Sequence, residues 1–91
     1  MPQDQPVKEG NGYVIRHEGS IAGEITYIPS DGIWIVNHTF VDPEFRGQQL
    51  AGSLLQAVVD DARKAGVKIE PACSYAAAQF KRRKDYADVR A

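Results

Sequence analysis

The segment Val41-Asp42-Pro43-Glu44-Phe45-Arg46-Gly47-Gln48-Gln49-Leu50-Ala51 concentrates residue types that can hold a phosphate. It leaves an apolar run and enters a helical pattern. A helix start carries unpaired N–H groups and partial positive charge, which together hold an anion. Gly47 lets the backbone approach a diphosphate with no Cβ in the way, and Arg46 adds charge. The same residues also suit a plain strand-to-helix connection shaped by Pro43 and Gly47. Cys73 is the lone cysteine and falls near the start of the last helical pattern. A thiol there feels the positive helix end, which favours the thiolate as nucleophile or proton carrier. The alternative is a small buried apolar residue. His38, near the end of an apolar strand, is a candidate base, because imidazole exchanges protons near neutral pH. Its alternative is a satisfied histidine on a sheet face.

Other chemistries lack their residues. His17 and His38, 21 positions apart and with one remote cysteine, give no metal-ligand spacing, so no metal is expected. Ser20, Ser30 and Ser74 have no nucleophile-elbow context. Lys81-Arg82-Arg83-Lys84 is the one dense basic run. It suits a solvated helix end, a coenzyme phosphate or an acidic partner. Nucleic acid is not expected, since no basic face with interleaved aromatics accompanies the run and the net charge is −1.

The elements that must position these groups follow from the hydrophobic period. Residues 1–11 read as a flexible lead-in. Residues 13–17, 21–28 and 33–41 alternate or are β-branched, with turn residues at Glu18-Gly19-Ser20 and Pro29-Ser30-Asp31-Gly32, and predict an antiparallel three-strand meander. The third run is the least polar and is placed centrally. Leu50, Ala51, Leu54, Leu55, Val58, Ala62 and Ala65 then recur at three- and four-residue spacing, predicting an amphipathic helix closed at Gly66 by a left-handed cap. Val67-Lys68-Ile69-Glu70-Pro71 predicts a strand parallel to the third, completing a βαβ unit, and a second helix from about Tyr75 to Lys84 closes the domain. The fold class is α/β, a mixed sheet flanked by two helices, with one domain over residues 12–91.

With 91 residues, 43% hydrophobic and 25% charged, the chain has material for a single core. No apolar run reaches the length that spans a bilayer. A single cysteine excludes an internal disulfide framework, and the polar N-terminal stretch lacks a secretory signal core. A cytoplasmic protein is expected, one that a homodimeric partner or a bound ligand would help to stabilise.

Val41-x-Pro43-x-x-Arg46-Gly47-x-x-x-Ala51 resembles the acetyl-coenzyme A loop of the GNAT N-acetyltransferases, whose core reads Q/R-x-x-G-x-G/A after a central strand and opens a helix. Pro71-x-Cys73-Ser74-Tyr75 is similar to the small single-domain members. The resemblance covers roughly residues 12–88. It implies a truncated GNAT-like fold and acetyl-coenzyme A as cosubstrate, bound by Phe40, Val41, Arg46, Gly47, Gln48, Gln49, Leu50, Ala51 and Ser74. It also implies that the backbone from His38 to Val41 meets the pantetheine arm and the oxyanion, with Cys73 and His38 as catalytic candidates and Tyr75 as an alternative proton donor. Two departures stand out. Gln49 replaces the second loop glycine, and Cys73-x-x-Ala76-x-x-x-Phe80 stands where the family has N-x-x-A-x-x-x-Y. The tyrosine that often protonates the leaving thiolate is therefore Phe80, and the two N-terminal helices that shape the acceptor pocket are missing. The activity implied is acetyl transfer to an unidentified amine acceptor. A non-catalytic acyl-coenzyme A-binding or protein-interaction module is the other reading.

Overall fold

The structure is a computed structural model that describes residues 5–45 and 49–91. Five strands form one mixed sheet in the order β1 (Val7–Lys8), β2 (Gly12–His17), β3 (Ser20–Ser30), β4 (Ile33–Val41) and β5 (Lys68–Pro71). β1 to β4 run antiparallel and β5 pairs parallel with β4. The expected meander therefore has four strands rather than three. Val7 and Lys8, placed by sequence in a flexible lead-in, pair with Val14 and Tyr13. Two residues are too few to show a period, and the pairing is held from outside: Lys8 Nζ meets Asp61 at 2.7 Å and lies 5.6 Å from the Trp34 ring centre.

Both later hairpins turn on an acid–glycine pair. Glu18-Gly19 and Asp31-Gly32 take positive φ at all four residues, which matches the right-handed twist of the flanking strands. The second turn is shorter than the sequence suggests, because Pro29 and Ser30 continue β3 opposite Trp34 and Ile33.

Helix α1 (Leu50–Ala65) makes the crossover from β4 to β5. Gly66 ends it in the left-handed conformation at φ 73°, its N–H returning to the last-turn carbonyls as the sequence predicts. Leu54, Leu55, Val58, Val59 and Ala62 are buried against Ile15, Ile25, Tyr27, Val36 and Ile69 of the sheet. Helix α2 (Ser74–Arg82) adds Ala76 and Phe80 to this core. A 3-10 helix over Lys84–Val89, missed in the sequence, adds Tyr86 and Val89. Six residues show too little of any period to stand out. After it, Arg90 bridges to Ile69 and the Ala91 N–H donates to the Ile69 carbonyl at 2.8 Å. All of this lies on one face of the sheet. Val7, Ile28 and Phe40 on the other face remain 55%, 50% and 40% exposed.

The exterior is tied by paired charges. Arg63 on α1 holds the Asp88 carboxylate with two bonds of 2.9 and 3.0 Å, and Arg16 pairs with Glu9. Partner cations hold the carboxyls of Glu9, Asp61, Asp85 and Asp88 below the ordinary carboxylate range. A lowered folded value means that the stabilisation is complete above the unfolded value of about 4 and is lost as pH falls through the folded values. The melting temperature is thus expected to change little from pH 7 to about 5 and to fall below about 4. Asp88→Asn should lower the neutral-pH melting point and flatten the acid limb. An acid limb identical to the parent's would show that the Arg63–Asp88 pair contributes nothing.

Candidate active site

Strands β4 and β5 part company at Val36. Their pairing runs from Ile33–Lys68 to Val36–Pro71, and the Ala72 and Cys73 N–H groups both donate to the Val36 carbonyl, at 3.0 and 2.9 Å. β4 continues to Val41 paired only with β3. Backbone groups of residues 37–41 directed toward the β5 side therefore have no strand partner among the described residues.

A β-bulge sits at the same point. Thr26 pairs with His38 and Tyr27 with Val36, which leaves Asn37 as an extra residue on β4, its Oδ1 accepting from Thr26 Oγ1 at 2.9 Å. The bulge resets the alternation of side chains. Val36 and Thr39 both face the helices, although three positions apart, while His38 and Phe40 face away.

Cys73 lies beside this fork as the N-cap of α2. Its Sγ accepts the Ala76 N–H at 3.4 Å and contacts Thr39 Oγ1 at 3.4 Å. The half-buried thiol thus lies at the start of the last helix, where the sequence places it, and serves there as the cap. His38 is placed differently. It is 51% exposed on the helix-free face, with Nε2 at 3.3 Å from the Glu24 carboxylate, and no hydrogen bond joins it to Cys73. The two catalytic candidates thus flank the fork from opposite sides of β4.

A groove of about 640 Å³ opens on the helix side of the fork. Val41 and Phe45 contribute from the end of β4, and Gln49, Leu50, Ala51 and Gly52 from the start of α1. Tyr75, Gln79, Arg82 and Arg83 form the α2 wall. Of the residues expected to bind a coenzyme, Val41, Gln49, Leu50 and Ala51 line this groove. Arg46, Gly47 and Gln48 lie outside the described residues. Phe40 does not line it, because its side chain follows the reset alternation to the other face, and only its backbone is at the fork. Ser74 opens α2 but is exposed and outside the groove lining. Gln49 takes a left-handed conformation at φ 61°, one that glycine adopts most easily, at the position of the family's second loop glycine.

Sequence reasoning gave no role to Phe45, Gly52, Gln79, Glu24 or the Thr39 side chain. The 3.6-residue period linking Tyr75, Gln79 and Arg82 on one α2 face was a usable signal for the wall. Burial holds the Tyr75 phenol above the ordinary tyrosine range, so it stays protonated at neutral pH. Phe80 lies in the core with its ring centre 5.3 Å from that of Tyr86.

Comparison with known proteins agrees with this architecture. The family model described as GCN5-related N-acetyl-transferase matches residues 12–89. A GCN5-like protein of Staphylococcus aureus, described as an N-acetyltransferase, is 32% identical. Its solution structure superposes with a TM-score of 0.82, covering 100% of this chain and 91% of that one. A GNAT family acetyltransferase from Brucella melitensis, solved in complex with acetyl-coenzyme A, is 20% identical with a TM-score of 0.59, covering 70% of this chain and 47% of that one. The ribosomal-protein-S18-alanine N-acetyltransferase of Escherichia coli is 22% identical with a TM-score of 0.61, covering 87% and 50%. The last two share the fold, and the present chain spans about half their length. No functionally curated protein matches the chain. Among the described residues no helix is long and apolar enough to cross a membrane. The match over residues 12–89, the splayed β4–β5 pair and the groove at the start of α1 lead to one assignment: the chain belongs to the GCN5-related N-acetyltransferase family.

Proposed function

We propose that the protein transfers an acetyl group from acetyl-coenzyme A to an amine, with the coenzyme lying in the α1–α2 groove and its thioester at the β4–β5 fork. The observation that carries this reading is the position of Cys73, a helix-capping thiol at the point where the two parallel strands separate. The coenzyme supplies an activated acetyl group. Backbone N–H groups of β4 beyond Val36 that have no strand partner among the described residues are suited to the carbonyl oxygen as it gains charge. The start of α1, with Arg46 and Gly47 preceding it, suits the diphosphate.

The acceptor amine forms a bond to the acetyl carbon as the C–S bond breaks, and the released thiolate takes up a proton. His38, oriented by Glu24 on the open face, is suited to removing the amine's proton. This separates the two candidates by task, because His38 faces the acceptor side and Cys73 the coenzyme side. Cys73 discharges the thiolate in one of two ways. As an acid it donates its proton to the leaving sulfur. As a nucleophile its sulfur bonds to the acetyl carbon while its proton passes to the departing coenzyme sulfur. The amine then attacks that carbon, the bond to Cys73 Sγ breaks, and the sulfur recovers a proton from the amine. Phe80 supports giving this task to another group, since a phenyl ring has no proton to give.

Two measurements test the proposal. Titration calorimetry with acetyl-coenzyme A should show saturable binding, weakened by Arg46→Ala and by Gly47→Val. Release of free thiol in the presence of a panel of amines should then follow. Saturable binding without release from any amine would make the chain a coenzyme-binding module instead, a reading that Phe80 also favours. No heat at millimolar ligand would overturn both.

A further inference from the structure

We propose that Arg82 recognises the 3′-phosphate of coenzyme A, so that the chain distinguishes the coenzyme from its 3′-dephospho form. This inference rests on the coenzyme reading above. The basic run 81–84 divides in the structure: Arg82 and Arg83 line the groove, whereas Lys81 and Lys84 do not. Among the described residues no carboxylate lines it, and the charged side chains there are the two arginines.

The two arginines differ in what already holds them. Arg83 grips the Asp85 carboxylate through Nε and Nη2 at 3.0 and 2.8 Å, and its guanidinium lies 4.4 Å from the Tyr86 ring centre. Its charge is neutralised and its fork is occupied. Arg82 forms no ion pair or hydrogen bond among the described residues. An unpaired guanidinium beside a fixed one, at the edge of a groove without acids, suits an anion that arrives with its own charge.

Two features of the ligand favour the monoester. A phosphomonoester carries close to two negative charges and three terminal oxygens, which matches a planar guanidinium fork. In coenzyme A the 3′-monoester and the 5′-diphosphate share one ribose. A diphosphate at the start of α1 therefore presents the monoester about one sugar's width away, and the facing wall of the groove is α2. Tyr75, Gln79 and Arg82 lie along one α2 face spanning roughly 10 Å. That wall runs from the end beside Cys73 to the cationic end, which orients the ligand with its sulfur toward Cys73.

The test is calorimetry of the full chain with coenzyme A and with 3′-dephospho-coenzyme A, for the parent, Arg82→Ala, Arg82→Lys and Lys81→Ala. The parent should bind coenzyme A about tenfold more tightly than the dephospho form, the scale of one charge-assisted contact. Arg82→Ala should remove most of that preference while leaving dephospho-coenzyme A affinity within about twofold. Arg82→Lys should keep part of the preference, since charge remains without the fork. Lys81→Ala should match the parent. Equal losses for both ligands in Arg82→Ala would assign the arginine to the diphosphate and overturn the proposal, as would no loss for either. A parent that binds both forms equally overturns it while leaving the coenzyme reading intact. A parent that binds neither overturns that reading and this one together.

Discussion

Cys73→Ala is expected to lower acetyl transfer by on the order of 100-fold, the usual contribution of one acid–base group, with coenzyme affinity within about threefold of the parent. The asymmetry follows from the geometry. Cys73 sits beside the fork and outside the groove lining, so its loss leaves the binding wall from Tyr75 to Arg83 in place. Removing the sulfur also removes the acceptor for the Ala76 N–H, a cost to the α2 cap of about 1 kcal/mol that a melting curve would register. Cys73→Ser separates the two contributions. A hydroxyl can still cap the helix, so the melting temperature should recover, but it is far less acidic than a thiol and turnover should stay low. Intact-mass measurement after mixing with acetyl-coenzyme A then distinguishes the two chemical routes, because only the nucleophilic route adds an acetyl group to the protein at Cys73. An alanine variant that turns over as fast as the parent would reduce Cys73 to a capping residue.

The sequence announced the frame of this site better than its directions. The change from period two to period 3.6 at Pro43 marks the passage from β4 into α1, and Gly66 marks its end to the residue. Both signals are local, which is why they survive without knowledge of the fold. The bulge at Asn37 is not local. It depends on the partner strand, and it decides that Thr39, not His38, meets the cysteine. Strict alternation counted from Val36 would put His38 on the helix side and Thr39 away from it, the reverse of what the structure shows. The basic run illustrates the same limit. Four consecutive cations look equivalent in sequence, and only the rotation of α2 and the turn after it sorts two into the groove. The short strand Val7–Lys8 was invisible for a third reason. The side chains that anchor Lys8, those of Asp61 and Trp34, lie dozens of residues away.

The largest effect on stability is expected at Gly12, where Gly12→Ala should destabilise the domain by about 2–3 kcal/mol. A Cβ built there would lie 2.1 Å from the Ile25 carbonyl oxygen and 3.1 Å from Thr26 Cα. Both obstacles are backbone, so no rotamer change relieves the overlap. Gly12 is not in the left-handed region, and the penalty is therefore steric rather than conformational. Separating β2 from β3 would relieve the overlap, but neighbouring bonds resist it. The Tyr27 N–H donates across to the Asn11 carbonyl at 2.9 Å. On the other side the Glu9 N–H holds the Gly12 carbonyl at 3.1 Å, which limits how far Gly12 itself can shift. For a domain of this size, 1 kcal/mol corresponds to about 4–8 °C, so the melting temperature should fall by roughly 10–20 °C. Gly52→Ala provides the contrast within the same chain. There the added methyl meets only the Tyr75 hydroxyl at an ordinary 3.8 Å, inside α1, where alanine gains about 1 kcal/mol over glycine in helix propensity. The same chemical change should therefore lower the melting point at position 12 and raise it at position 52. Thermal melts followed by circular dichroism read both signs directly. A Gly12→Ala protein melting within about 2 °C of the parent would show that β2 and β3 can separate at almost no cost.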